Sequence, residues 1–354
     1  MTDASGAEPA GDSPGDPAMS RSKRDAAAVG RVAPDGTHRP ESGADFSAQV
    51  RAARTEFESQ VAHARAEFDQ ANERLKERTG RDLIVAIVIS LAIGAVLVAS
   101  LIFFKWGFVL FALGASTLGI FELARALQST GRRVDLVPQL IAGTMLVAAG
   151  LFLASWLHWI ALFLAVAFVL VWRLIAQMIA NDGRSYAGVL GDVLIAGFVQ
   201  LYVPFFASLC VLLLRQEGGE WWVLAFIIVV VASDTGAYSA GLAFGRHPMA
   251  PRISPKKTWE GFAGAAAAAL VAGVLVSLFM LGLPWWCGLI IGALILVTAT
   301  AGDLGESMVK RDLGIKDMSS WLPGHGGVLD RLDSILPSAA SALALYFLLS
   351  PLAV

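Results

Sequence analysis

The sequence predicts an all-α, polytopic membrane protein with about nine transmembrane helices and a polar N-terminal extension. Of its 354 residues, 56% are hydrophobic and only 16% are charged, against roughly 25% charged residues in a soluble domain. The charge is uneven, since 26 of the first 81 residues are charged but only 30 of the remaining 273. The apolar part divides into runs close to the roughly 20 residues that a helix needs to cross a bilayer.

The N-terminal extension has two parts. Residues 1–44 are rich in Gly, Pro, Ala, Asp and Ser, and such a composition predicts a disordered tail. Residues 45–82 predict a cytoplasmic helix, because apolar residues recur at alternating spacings of four and three from Phe57 to Leu75. This narrow seam is typical of a short coiled coil, which would support a homodimer, or of a helix on the membrane surface. A solvated helix without a partner fits equally well.

The membrane body, residues 83–354, contains nine apolar runs. The sixth run is short, and the eighth ends in a charged motif. Within the fifth run, Gln200 and Pro204 predict a kink. The nine runs cover about 83–104, 106–124, 136–155, 157–176, 188–214, 219–233, 262–282, 284–301 and 335–353.

The distribution of Lys and Arg predicts the orientation. With a cytoplasmic N-terminus and nine alternating spans, the cytoplasmic loops and the flank from Arg74 to Arg81 hold 17 Lys and Arg residues, whereas the opposite side holds only Lys105 and Arg215. Positive residues favour the cytoplasmic side. We therefore expect a multi-pass protein of the cell (inner or plasma) membrane, with the polar loops 234–261 and 302–334 in the cytoplasm. The net charge of −2 argues against a nucleic-acid partner.

The first polar loop contains candidate phosphate ligands. Lys256, Lys257 and Thr258 follow Pro255 and place two cations and a hydroxyl together, which are the donors that a triphosphate needs. Ordinary cytoplasmic anchoring is the alternative for the two lysines. Asp234 lies at the end of an apolar run, where an unpaired carboxylate is expensive.

The second polar loop contains paired carboxylates. Asp303 and Glu306 are three residues apart, as are Asp330 and Asp333, so a helical turn would place each pair on one face. Any single Asp could be a helix cap or half of an ion pair. Several carboxylates together repel one another unless a cation lies between them, and oxygen ligands favour Mg²⁺. A lone His is more often structural than catalytic, but the flanking glycines expose His325, which favours a position close to a phosphate or a metal.

A continuous motif links these residues to a known family. From Ser307 to Asp333 the chain reads S-x-x-K-R-x-x-x-x-K-D-x-x-x-x-L-P-G-H-G-G-x-x-D-R-x-D. This resembles, without a gap, the signature of phosphatidate cytidylyltransferases, also called CDP-diacylglycerol synthases. The segments D-T-G-A-Y at 234–238 and S-P-K-K-T-W-E-G at 254–261 are similar to the same family. The resemblance covers about 83–354 and leaves the role of 1–82 open.

The resemblance implies a membrane enzyme that converts CTP and phosphatidic acid, a membrane lipid, to CDP-diacylglycerol and pyrophosphate with a divalent metal. It places the metal at Asp303 and Asp330, with Asp333 in the same turn and Asp234 as a further candidate, and one Mg²⁺ ion or two would fit. We expect the catalytic residues to be Asp303, Asp330, Lys310, Arg311 and His325. We expect the substrate-binding residues to be Ser254, Lys256, Lys257, Thr258 and Arg331.

Two other functions fit parts of the pattern. A CTP-dependent lipid kinase acting on a polyprenol would handle phosphates similarly, but it would need a base to activate the hydroxyl. A transporter would place carboxylates near the bilayer midplane at helix breaks. The sequence places them in long loops at the cytoplasmic boundary, which disfavours transport.

Overall fold

The computed structural model describes residues 83–180, 183–319 and 326–353. The predicted tail 1–44 and the predicted helix 45–82 lie outside these residues and stay predictions. Within the described residues the chain is helical except for one hairpin and the connecting turns. The helices are α1 (Leu83–Phe103), α2 (Lys105–Ser129), α3 (Leu136–Phe152), α4 (Ser155–Ala180), α5 (Tyr186–Tyr202), α6 (Pro204–Leu214), α7 (Gly219–Phe244), α8 (Trp259–Phe279), α9 (Trp285–Asp312), α10 (Leu329–Leu332) and α11 (Ile335–Leu349), followed by a 3₁₀ turn (Ser350–Leu352).

The predicted multi-pass architecture is supported. In the part of the chain that the structure describes, seven helical segments are long and apolar enough to cross a membrane. They coincide with seven of the nine predicted runs. The other two runs correspond to α1, which has 21 residues, and to α3, which has 17. The count of nine spans stays a prediction.

The helix boundaries confirm one expectation and correct two others. The fifth run does break, because α5 ends at Tyr202 and α6 begins at Pro204, whose ring lacks the N–H that a continuous helix needs. The sixth run was predicted to end at 233, which is wrong, because α7 continues to Phe244. Likewise α9 continues to Asp312. The two predicted polar loops therefore begin as helices.

A short hairpin, β1 (Pro248–Ala250) and β2 (Ser254–Thr258), corrects the prediction of an all-α fold. The strands are antiparallel, with Ala250 opposite Ser254. A two-stranded ribbon is marginal alone, but this one is tied to α8. The Glu260 carboxylate accepts the backbone N–H groups of Arg246 (3.1 Å) and His247 (3.2 Å). Because β2 carries Lys256 and Lys257, this tie fixes both lysines next to the helices.

Helices α7, α8 and α9 approach closely through small residues. A methyl group placed on Gly236 of α7 would lie 2.6 Å from the Gly264 carbonyl oxygen and 2.7 Å from the Ala268 Cβ of α8. A methyl group on Gly292 of α9 would lie 2.5 Å from the Ala269 carbonyl oxygen. Small residues allow such contact between helices in lipid, as the alanine-rich start of α8 predicts. These three helices form the frame that positions the candidate site.

Two buried charged side chains elsewhere in the membrane body, Arg173 and Asp192, are paired. Arg173 of α4 is 3% exposed, and its Nη1 lies 3.0 Å from Asp135 Oδ2. Asp192 of α5 is fully buried and accepts hydrogen bonds from the Arg184 guanidinium and the Arg133 backbone N–H. Because an unpaired charge is costly in this setting, the pairing explains how these charges are tolerated away from the candidate site.

Candidate active site

A pocket of about 280 Å³ lies between α7, the hairpin, α8 and α9. Residues from both predicted polar loops, 234–261 and 302–334, line this pocket. Its polar side chains come from α7, β2 and α9 and include two cations and two carboxylates. The lining residues are Ser233, Asp234, Ala237, Tyr238, Gly241, Met249, Lys256, Lys257, Thr258, Gly261, Phe262, Ala265, Thr300 and Asp303.

Lys257 and Asp303 form the central ion pair of this pocket. Lys257 Nζ lies 2.5 Å from Asp303 Oδ2, and the side chains are 23% and 35% exposed. Lys256 is exposed and also lines the pocket. Thr258 caps α8, because its hydroxyl oxygen accepts the Gly261 backbone N–H at 3.1 Å. The cap places Thr258 at the point where strand becomes helix and leaves the two lysines at the pocket.

Asp330 lies in a second polar cluster beside α9. Its Oδ1 accepts from Lys310 Nζ at 2.9 Å, and its Oδ2 accepts the backbone N–H groups of Gly327 (2.8 Å) and Met318 (3.0 Å). Lys310 Nζ also lies 3.3 Å from Glu306 Oε1. Asp330 is only 8% exposed, so its carboxylate is both buried and fully engaged.

A glycine brings the Asp330–Asp333 turn onto α9. A methyl group on Gly302 would overlap the Asp333 carbonyl oxygen and lie 2.8 Å from Pro337 Cγ. With no side chain at 302, Asp333 reaches the neighbourhood of Asp303, the next residue of α9. Asp234 of α7 lines the same pocket as Asp303. The structure thus brings the four predicted metal ligands to one end of the α7–α9 frame.

The donor set fits a hard divalent cation in its chemistry. Among the described residues, no three His, Cys, Asp or Glu side chains already converge as in a formed metal site, and Asp303 and Asp330 are each paired with a lysine. Both oxygens of Glu306 are buried without a hydrogen-bond partner. A buried carboxylate in that state is costly, and carboxylate oxygens are the ligands that Mg²⁺ prefers.

The other predicted site residues have different positions. Arg311 Nε donates to the Ile253 carbonyl oxygen at 3.0 Å, so this side chain ties α9 to the turn of the hairpin. Ser254 is half-buried at the start of β2, and Arg331 is exposed on α10. Neither Ser254 nor Arg331 is among the residues that line the pocket. His325 lies outside the described residues, and its predicted role stays a prediction.

Comparison with known proteins places the chain in a family. The model of the cytidylyltransferase family matches residues 84–349, which includes every element of the pocket. The chain belongs to the cytidylyltransferase family. The resemblance read from the motif between Ser307 and Asp333 is therefore confirmed. The matched residues also contain the Asp330 turn and both lysines of β2.

Relatives within this cytidylyltransferase family cover most of the chain. A phosphatidate cytidylyltransferase of Mycobacterium bovis is 41% identical over 278 residues, which are 75% of this chain and 88% of the relative. One of Mycobacterium leprae is 40% identical over 288 residues, or 77% and 90% of the two chains. One of Brucella suis is 42% identical over 142 residues, or 40% and 53%. The match to the mycobacterial proteins extends over nearly their whole length.

Two buried acidic residues next to the Asp330 cluster were not predicted as site residues. Glu306 shares a helical face with Asp303, as its spacing indicated, but the sequence did not assign it a role. Glu122 of α2 is 2% exposed and contacts the segment before Asp330. Its only signal in the sequence is a carboxylate inside the second apolar run, where a charge needs a reason.

Proposed function

We propose that the chain is a phosphatidate cytidylyltransferase, which transfers the cytidylyl group of CTP to the phosphate of phosphatidic acid and releases pyrophosphate. The relatives from mycobacteria support this activity, since they bear that name and share about two residues in five with the chain. The observation that carries the proposal is the pocket in which Lys256 and Lys257 meet Asp303 at one end of apolar helices. A lipid phosphate and a soluble nucleotide can meet in such a place.

The reaction brings two anions together, and repulsion opposes their approach. A phosphate oxygen of the lipid forms a bond to the α-phosphorus of CTP as the bond to the pyrophosphate oxygen breaks. Lys256 and Lys257 would bind the phosphates of CTP and offset their charge, and Lys310 would do the same beside Asp330. A phosphate monoester is already nucleophilic near neutral pH, so no strong base of the protein is needed. The main contributions of the chain are positioning and charge.

We further propose that Mg²⁺ binds to Asp303, Asp330, Asp333 and Asp234, as one ion or two. Glu306 extends this set, because both of its oxygens are buried without a hydrogen bond and only Oε1 lies within ion-pair distance of a described cation, Lys310. A bound cation neutralises phosphate charge during the transfer. The carboxylates of α7 and α9 would orient it, and the lysines now paired with Asp303 and Asp330 would lie next to the phosphates.

We propose the cell membrane as the location, with the N-terminus and the site on the cytoplasmic side. The Lys and Arg count of the predicted loops supports this orientation, since only Lys105 and Arg215 fall on the opposite side. CTP is soluble, so the pocket must open to water on the side where CTP is made. A homodimer through residues 45–82 is a further proposal.

The structure changes the argument against a transporter, and the CTP-dependent lipid kinase stays an alternative. The argument that the carboxylates lie in loops, which disfavoured transport, is wrong for Asp234 and Asp303, because both are on long helices. Family membership replaces that argument. A CTP-dependent lipid kinase would cleave CTP at the γ-phosphorus instead of the α-phosphorus, and this difference can be measured directly.

The test uses the purified full chain in detergent with phosphatidic acid and CTP labelled at either the α- or the γ-phosphorus. We expect the α-label to enter the lipid product and the γ-label to leave as pyrophosphate. A chelator should stop this transfer, and added Mg²⁺ should restore it. Transfer of the γ-label to a polyprenol would favour the kinase. A chelator-resistant reaction would contradict the metal proposal alone.

A further inference from the structure

Glu122 contacts the segment that leads into the Asp330 turn. It lies on α2 and is 2% exposed. Its Oε1 accepts the Val328 backbone N–H at 3.0 Å, and its Oε2 accepts the Leu329 backbone N–H at 2.8 Å. The Ser319 hydroxyl donates a third hydrogen bond to Oε1 at 2.5 Å. These partners are about 200 residues away in sequence, so the contact joins distant parts of the chain.

Two carboxylates share three successive backbone N–H groups of this segment. Gly327 donates to Asp330 Oδ2, whereas Val328 and Leu329 donate to Glu122. Leu329 is fully buried and packs beside Gly119 of α2. Hydrogen bonds to a charged acceptor are stronger than those to neutral groups, and buried N–H groups need acceptors. The position of the Asp330 turn therefore depends on Glu122.

A glycine makes room for the Glu122 carboxylate. A methyl group on Gly327 would lie 2.7 Å from Glu122 Oε2 and 3.0 Å from the Ser319 hydroxyl oxygen. Ordinary contacts of such a carbon begin at 3.4 Å. Any side chain at 327 would therefore push the carboxylate away from the two N–H groups that it accepts.

We propose that Glu122 is a positioning residue for the cytidylyl transfer, which holds the Asp330 turn against α9 without touching substrate. This inference rests on the proposed role of Asp330 at the reacting phosphates. A displacement of about 1 Å at a reacting group can cost about 10²-fold in rate. The loss should fall mainly on kcat, because Lys256 and Lys257 lie on a different element.

The test compares Glu122→Gln and Glu122→Ala with the wild-type protein. The Ala variant should lose about 10²-fold in kcat. Gln keeps one oxygen acceptor for the two N–H groups, so the kcat of the Gln variant should lie between those of the wild type and the Ala variant. The KM for CTP should stay within about twofold in both variants. Amide hydrogen exchange at residues 327–329 should become faster in both. Glu220→Gln is the matched control, because Glu220 of α7 pairs with Lys105, which lies at the other end of α2 from Glu122.

A second pair of variants guards against misfolding of the Glu122 variants. Gly327→Ala should lower kcat like Glu122→Gln by displacing the carboxylate. Combined with Glu122→Ala, which removes the obstructed group, the same methyl group should cost little more, so the two losses should not add. Additive losses would overturn the proposal. So would a Glu122→Gln variant as slow as Glu122→Ala, because that result indicates a ligand or a base.

The controls separate this inference from the proposed function. If the wild-type protein forms no CDP-lipid, the proposed function fails. If the wild-type protein is active but the Glu122 variants have a kcat per folded molecule equal to that of Glu220→Gln, the positioning role fails while the proposed function stands.

Discussion

Replacing Gly302 by Ala should displace the Asp330–Asp333 turn and slow the enzyme. The added methyl group would overlap the Asp333 carbonyl oxygen, lie 2.8 Å from Pro337 Cγ and lie 3.2 Å from the Asp333 carbonyl carbon. Ordinary contacts of such a carbon begin at 3.4 Å, so the turn must move by on the order of 1 Å, which at a reacting group costs about 10²-fold in kcat. The overpacking costs about 1–3 kcal/mol, offset by about 1 kcal/mol from the better helix propensity of Ala.

Gly305→Ala is the matched control for this substitution. Gly305 lies one turn further along α9, and nothing comes within 4 Å of a methyl group placed there. We expect its kcat to stay within about twofold of wild type and its stability to rise by up to about 1 kcal/mol. Steady-state rates and thermal unfolding in detergent measure both variants. A Gly302→Ala enzyme with the kcat of Gly305→Ala would refute the close contact between α9 and the turn.

Two further predictions concern the lysines and a distant ion pair. If Lys256 and Lys257 bind CTP, the double Ala variant should have a higher KM for CTP, a lower kcat, or both. Its KM for phosphatidic acid should change less. If steady-state assays show no change in these constants, the two lysines serve only as cytoplasmic anchors. Asp192→Ala leaves the Arg184 guanidinium and the Arg133 N–H without this acceptor, so the free energy of unfolding should fall by about 1–3 kcal/mol. The activity per folded molecule should be retained, and an unchanged unfolding midpoint would contradict the account of this pair.

Much of the helical architecture could be predicted because its signals are local. The length of each apolar run and the break at Pro204 depend on a few neighbouring residues. The continuation of α7 past Asp234 could not be predicted in that way. Polar and small residues such as Thr235 and Gly236 are typical of loops, but Gly236 packs against Gly264 of α8, and this tertiary contact favours the helix. The hairpin was missed because Pro255 and two lysines weaken the strand pattern.

The candidate site was predicted residue by residue but not contact by contact. The motif contains Asp330, and the polar segments before it contain Lys257 and Asp303, so the chemistry of all three residues is visible in the sequence. The pairing of Lys257 with Asp303 joins β2 to α9, and no local pattern specifies it. Glu122 lies 206 residues before Val328, its hydrogen-bond partner, and outside every motif. Only the three-dimensional arrangement of α2 and the turn shows what this carboxylate contacts.

The central claim is that the carboxylates at the end of α9 and in the adjoining turn carry the transfer, and Asp330→Asn tests it most directly. Asn keeps the size of Asp330 and an oxygen that can accept the Gly327 N–H, but it removes the charge proposed to hold Mg²⁺. A lost metal contact costs several kcal/mol, and each 1.4 kcal/mol is about tenfold in rate. The measurement is kcat for CDP-lipid formation at saturating Mg²⁺, normalised to folded protein. We predict that turnover is nearly abolished, and retention of more than about a tenth of the wild-type rate would contradict the account.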